Sequence, residues 1–160
     1  MPSSTAVGST VDSTVDAVDN ALIPLVRYLS SPRTWRQIAG SADIPLDRAR
    51  YLVLRAVAES EPVRTTALAA HVGVDPSTMS RHITVLDQAG YVTRAADPDD
   101  GRAQAVSLTA AGRAVMEQAR AARHDLITNV LAEWDDADRR HVAALLARLA
   151  DDFVRVERAT

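Results

Sequence analysis

The 160-residue chain contains no cysteine. It therefore has no disulfide framework, no thiolate-bound zinc and no thiol redox switch. Lysine is absent too, so all 18 basic residues are arginine. Aromatic residues make up 4% against 47% hydrophobic residues. A core of this composition is built from Leu, Val, Ile and Ala, as in helical bundles. No apolar stretch approaches the ~20 residues of a membrane span, and the start lacks a basic leader. The expectation is neither signal peptide nor membrane anchor, and a cytoplasmic setting. A basic surplus is also missing: the net charge is −3.

The catalytic vocabulary is thin. No Gly-rich phosphate loop, Gly-x-Ser-x-Gly or His-x-x-x-His pair occurs. His71, His82, His124 and His141 fall on separate segments. Asp135-Asp136-x-Asp138 is explained by the start of a helix. Asp97-Pro98-Asp99-Asp100-Gly101 has calcium-loop letters without the length or the closing Glu. The sequence is not that of an enzyme and calls for no cofactor or metal.

What is present centres on Thr65 to Val106. Ala67, Leu68 and Val72 give a short helix its apolar face, and Gly73 suits the left-handed residue that ends it. Ala69 and Gly73 are small where two helices must approach. Asp75-Pro76 then starts a second helix, with Asp75 as N-cap and Pro76 at the first helical position. Met79, Ile83 and Leu86 recur at four and three and form its buried stripe. Ser77, Thr78, Ser80, Arg81, His82 and Thr84 are left facing outward or sideways. Short hydroxyls and an Arg at a helix N-terminus suit phosphate oxygens and base edges in a major groove. The alternative for this face alone is a solvated surface on a core helix.

Ala89-Gly90 closes that helix, Tyr91 to Arg94 reads as a strand, and Gln104 to Leu108 as a second. The two flank a charged turn and form a β-hairpin wing. Arg94 and Arg102 lie along it, and an Arg near the tip suits a minor groove. Val63-Arg64 fits a short third strand.

The segments VDPSTMSRHITVLDQAGYVTR, DPDDGRA and SLTAAGRAV, in that order and spacing, resemble the winged helix-turn-helix of the MarR (multiple antibiotic resistance regulator) family. The resemblance covers about Leu46 to Gly112, and flanking helices extend it. It implies a homodimeric, ligand-responsive repressor whose recognition helices enter successive major grooves of a pseudo-palindromic double-stranded operator, with Arg102 as the wing arginine. Many members carry Asp-Arg-Arg at the wing tip where this chain has Asp100-Gly101-Arg102, which removes one contact. The peroxide-sensing branch needs a reactive cysteine and is excluded.

Between Arg64 and Arg113, five arginines balance five aspartates. A DNA-binding face thus requires arginines and acids to be segregated in space, and few released counterions. A winged helix serving protein contacts or DNA architecture without ligand response is the alternative.

The expected organisation is mainly α with a small β wing. Residues 1–10 form a flexible tail, 11–45 N-terminal dimerisation helices, 46–108 the winged helix-turn-helix, and 109–160 C-terminal dimerisation helices. Val11, Val15, Val18, Leu22, Leu25 and Leu29 form a seam interrupted by Pro24. A helix from about Val11 bent at Pro24 is preferred to one starting near Asn20. Ser31-Pro32 starts a short helix that Gly40 closes. Asp47 opens the helix that Glu61-Pro62 ends. Thr109 caps a long helix carrying Val115, Ala119, Ala122, Leu126, Val130 and Trp134. Asp135 caps the last, whose seam is Val142, Leu145, Leu149, Phe153 and Val156. Family resemblance also implies a pocket for a small aromatic or phenolic effector. Tyr28, Trp35, Arg36, Tyr51 and His124 are its candidates, with Arg36 suited to an aromatic carboxylate.

Overall fold

The computed structural model describes residues 5–97 and 104–159. Its described elements are α1 (Thr5–Ser30), α2 (Pro32–Ser41), α3 (Arg48–Ser60), β1 (Val63–Arg64), α4 (Thr65–Val72), α5 (Pro76–Gln88), β2 (Val92–Ala96), β3 (Gln104–Leu108), α6 (Ala110–Val130) and α7 (Asp136–Ala159). The chain divides into two compact units, residues 1–122 and 123–160, with α6 contributing to both. The fold is mainly helical, with the small β wing expected.

The core of the first unit forms where α3, α4 and α5 meet the sheet. Leu54, Val57, Met79, Ile83, Leu86 and Val106 are completely buried. Burying a side chain of this size stabilises by about 1.5–3 kcal/mol. The Met79, Ile83 and Leu86 stripe therefore fixes the rotation of α5 about its axis and, with it, which residues face outward. The sheet is antiparallel in the order β1-β3-β2, with Val63 opposite Val106 and Arg94 opposite Val106 on its other side.

Helix ends follow local chemistry. Asp47 accepts the Arg50 N–H at 2.9 Å, and Asp75 the Thr78 N–H at 2.9 Å. Thr109 Oγ1 accepts the Gly112 N–H at 3.1 Å, and Asp135 the Asp138 N–H at 2.8 Å. Each satisfies an N–H that the first helical turn leaves without a backbone acceptor.

Four local expectations change. Helix α1 begins at Thr5, ahead of Val11, and contains Pro24 within one helix; extending a formed helix is far easier than nucleating one. Helix α2 runs past Gly40 to Ser41, and the left-handed residue that closes it is Asp43 (φ 50°). The Ile44 N–H then donates back to the Ala39 carbonyl at 2.9 Å, the Schellman arrangement, in which a short polar side chain tolerates the conformation. Ala67 is exposed, so Leu68 and Ala69 carry the buried face of α4 with Val72 half-buried. Gly73 takes the left-handed conformation as expected (φ 74°), but a Cβ there meets nothing within 4 Å. Its role is conformational and not close packing.

Close packing falls instead on Gly112. A Cβ at that position lies 2.1 Å from the Tyr91 carbonyl oxygen. The same corner is fastened by Thr109, whose hydroxyl donates to the Gly90 carbonyl at 2.6 Å and whose N–H donates to the Tyr91 carbonyl at 3.1 Å. Glu61 ties the same end of β3 from its other side: one carboxylate oxygen accepts the Leu108 N–H at 2.6 Å and the other pairs with Arg113. The wing is thereby attached at its base to both α3 and α6.

Helices α1 and α7 bear exposed apolar side chains. In α1 these include Val15, Ile23, Val26 and Leu29; in α7 Leu145 (64% exposed), Phe153 (59%) and Val156 (65%). Among the described residues no helix is long and apolar enough to cross a membrane.

Candidate nucleic-acid interface

The outer face of α5 is built by its N-cap. Asp75 accepts from the Ser77 hydroxyl and the Thr78 N–H. Hydrogen bonds from the Ser77 hydroxyl, then from the Thr78 hydroxyl and N–H, hold its carboxyl well below the usual carboxylate range. A carboxylate bonded this way stays charged and keeps the first turn closed. Ser77 is thus engaged locally.

Further along, Arg81 is exposed and donates to the Thr78 hydroxyl at 3.0 Å. Among the described residues no carboxylate pairs with it. Ser80 is exposed and His82 half-buried. Thr78, Ser80, Arg81, His82, Thr84 and Val85 line one concavity of about 510 Å³, which Arg50 of α3 completes.

Thr84 and Arg94 are bonded to each other. Arg94 donates to the Thr84 hydroxyl at 2.8 Å and its Nε lies 3.3 Å from the Asp87 carboxylate. Thr84 in turn donates to the Ser80 carbonyl at 2.9 Å. The Arg94 guanidinium, only 28% exposed, therefore joins the root of the wing to α5. At the tip end of β2, Arg64 Nε donates to the buried Asp97 at 2.5 Å. Arg102 and the tip, residues 98–103, lie outside the described residues.

Sequence reasoning missed two residues of this face. Val85, 39% exposed, is an apolar patch among the hydroxyls, of the kind that contacts a thymine methyl group. An apolar letter between Ile83 and Leu86 carries no polar signal that would mark it as part of an outer face. Arg50 comes from another helix, and no local pattern relates it to α5.

Among the effector candidates of the first unit, Trp35 meets Tyr51 and shares a concavity with Arg36. Trp35 and Tyr51 stack with ring centroids 4.3 Å apart and planes at 28°. Tyr51 is buried in the core, and Trp35 Nε1 donates to the Leu46 carbonyl at 3.2 Å. Trp35 and Arg36 line a concavity of about 500 Å³ with Ala39, Ile44 and Leu46. Tyr28 is exposed on α1, where its backbone carbonyl accepts the Thr34 hydroxyl at 2.6 Å. His124 belongs to the second unit and lines a separate concavity of about 330 Å³ with Ile127 and Arg139.

Comparison with known proteins places these features in a group. The MarR family model matches residues 44–103. The chain is 30% identical over 109 residues to the HTH-type transcriptional regulator YxaD of Bacillus subtilis, covering 68% of this chain and 76% of that one. It is 30% identical over 114 residues to the HTH-type transcriptional repressor Rv2887 of Mycobacterium tuberculosis, covering 71% and 82%. Its fold superposes on wild-type MarR of E. coli with a TM-score of 0.65 at 22% identity, covering 81% of this chain and 95% of that one. The chain belongs to the MarR family of DNA-binding, helix-turn-helix transcriptional regulators.

Proposed function

We propose that the protein is a homodimeric repressor that places α5 in the major groove of a pseudo-palindromic operator and the β2–β3 wing in the flanking minor groove. The observation that carries this reading is Arg81. It is an exposed arginine with no carboxylate partner among the described residues, beside Ser80 and His82 on a helix face whose rotation the core fixes. An arginine so placed suits bidentate contact with guanine. The near-balance of charge across the segment agrees with it, because Asp75 caps α5 and Asp87 pairs with Arg94, while Arg81 is bonded only to the neutral Thr78 hydroxyl.

Dimerisation is supported by the apolar side chains that α1 and α7 leave exposed. Two-fold symmetry then sets the recognition helices about 34 Å apart, one turn of DNA. Repression is carried over from the Rv2887 relative, an HTH-type transcriptional repressor. For an effector, the concavity beside Trp35 and Arg36 supports a small aromatic carboxylate, with stacking on the indole and pairing to the guanidinium. A protein that acts on DNA in this way works in the cytoplasm.

The test is a polarisation titration on a duplex selected by the full chain from a random-sequence pool. Arg81→Ala is expected to weaken binding by about 1–3 kcal/mol per half-site and to relax preference at one base pair in each. Arg102→Ala is expected to weaken binding while leaving the dimer intact. If both variants bind as the parent does, the docking geometry is wrong. Binding of partner proteins without preference among duplexes instead supports a protein-contact role for the winged helix.

A further inference from the structure

Arg50 lies outside the helix-turn-helix in sequence and on its outer face in space. It sits in the first turn of α3 and lines the same concavity as Thr78, Ser80, Arg81 and His82. Its guanidinium is incompletely bonded: one terminal nitrogen pairs with Asp47, while Nε is buried and has no hydrogen-bond partner among the described residues. Asp47 itself is 51% exposed and already serves as the N-cap of α3, accepting the Arg50 N–H. An ion pair this open to solvent is weak. A phosphate offers the same guanidinium two charge-assisted bonds in a planar fork. The cap also survives without the ion pair, since the backbone bond to Asp47 does not use the Arg50 side chain.

We propose that Arg50 is a DNA-backbone contact flanking the recognition helix, and that Asp47 competes with the phosphate for its guanidinium. This rests on the reading that α5 faces DNA. A contact of this kind positions the duplex without reading its sequence. Arg50 therefore adds affinity to any duplex, whereas Arg81 acts on the selected one. Asp47 makes that affinity conditional, because the ion pair must open before the phosphate is engaged.

The experiment compares the parent, Arg50→Gln, Asp47→Asn, the double variant and Arg81→Ala. Each is titrated against the selected duplex and a scrambled one at about 50 and 200 mM salt, after melting curves confirm folding. Gln keeps helix propensity, and Asn keeps the cap. The dimer carries two copies of Arg50, and removing two phosphate contacts lowers the slope of log affinity against log salt by about 1.8. Arg50→Gln should thus lose about 12-fold less affinity than the parent over that fourfold salt range, equally on both duplexes. Asp47→Asn should bind about two- to fivefold tighter, and this gain should vanish when Arg50 is already Gln. An unchanged salt slope in Arg50→Gln overturns the contact. A gain from Asp47→Asn that persists in the double variant overturns the competition, because it then reflects charge alone. If Arg81→Ala loses selectivity while Arg50→Gln matches the parent, only this inference fails. If neither changes binding, the reading of α5 fails with it.

Discussion

Replacing Gly112 by Ala tests how the wing is held to the rest of the unit. The added Cβ stands 2.1 Å from the Tyr91 carbonyl oxygen, 3.1 Å from its carbon and 3.4 Å from Leu108 Cδ2. The obstacle is backbone, and it is fixed from several sides. Tyr91 donates its N–H to Leu86 at 2.9 Å, its carbonyl accepts from Thr109, and the Thr109 hydroxyl holds Gly90. Relieving an overlap of more than ~1 Å must draw the start of α6 away and break the two Thr109 bonds. Overpacking costs about 1–3 kcal/mol and each lost hydrogen bond about 1 kcal/mol. The sum is about 3–5 kcal/mol, or a Tm lowered by about 6–20 °C in a protein of this length. Gly73 provides the control. It has φ 74° and open space around it, so Gly73→Ala should cost only about 1–2 kcal/mol. Asn tolerates the left-handed conformation, so Gly73→Asn should recover most of that loss while Gly112→Asn should recover none. Thermal melts of the four variants suffice. A Gly112→Ala protein melting within about 2 °C of the parent would refute the packing argument.

The Asp75 cap predicts a pH signature. Its folded carboxyl titrates below the unfolded value of about 3.9, so its contribution is full above about pH 5. It shrinks as pH falls below ~3.9 and disappears below the folded value. The Tm difference between the parent and Asp75→Asn should close over that range, and a difference constant from pH 7 to 2 would contradict it. For the interface, Phe153→Asp removes an exposed apolar side chain from both copies of a symmetric contact. At about 2 kcal/mol each, the dimer dissociation constant should rise about 1000-fold with little change in helix content; sedimentation of an intact dimer would rule out the α7 face. Arg94→Gln removes the link from β2 to Thr84 and Asp87. It should lower stability by about 0.5–1 kcal/mol, and two-dimensional spectra should report the change at α5 as well as at the wing.

Much of the architecture was legible because it rests on local rules. The Met79, Ile83 and Leu86 spacing, the Asp75-Pro76 start and the Thr109 and Asp135 caps each act within a turn or two of chain. The misread points are those that tertiary context decides. Gly73 and Gly112 are the same letter, yet one answers to a dihedral angle and the other to a carbonyl that arrives from another element. Gly40 has the letter of a helix stop, yet the left-handed residue is Asp43. On the candidate site, the outward set on α5 was readable from periodicity. The pairing of Arg94 with Thr84 and Asp87 was not, since ten residues and a change of element separate Arg94 from Thr84. Arg50 was invisible for the same reason: it meets α5 only after α3 and α5 have packed.

The most direct test of the account is the titration of the full chain against its selected duplex beside a scrambled one, at about 50 and 200 mM salt. The account predicts binding of one dimer per duplex, strong preference for the selected sequence, and a salt slope corresponding to only a few phosphate contacts, as a chain of net charge −3 requires. Equal affinity for both duplexes at low salt would contradict it, because weak electrostatics cannot account for the loss of preference where electrostatics are strongest.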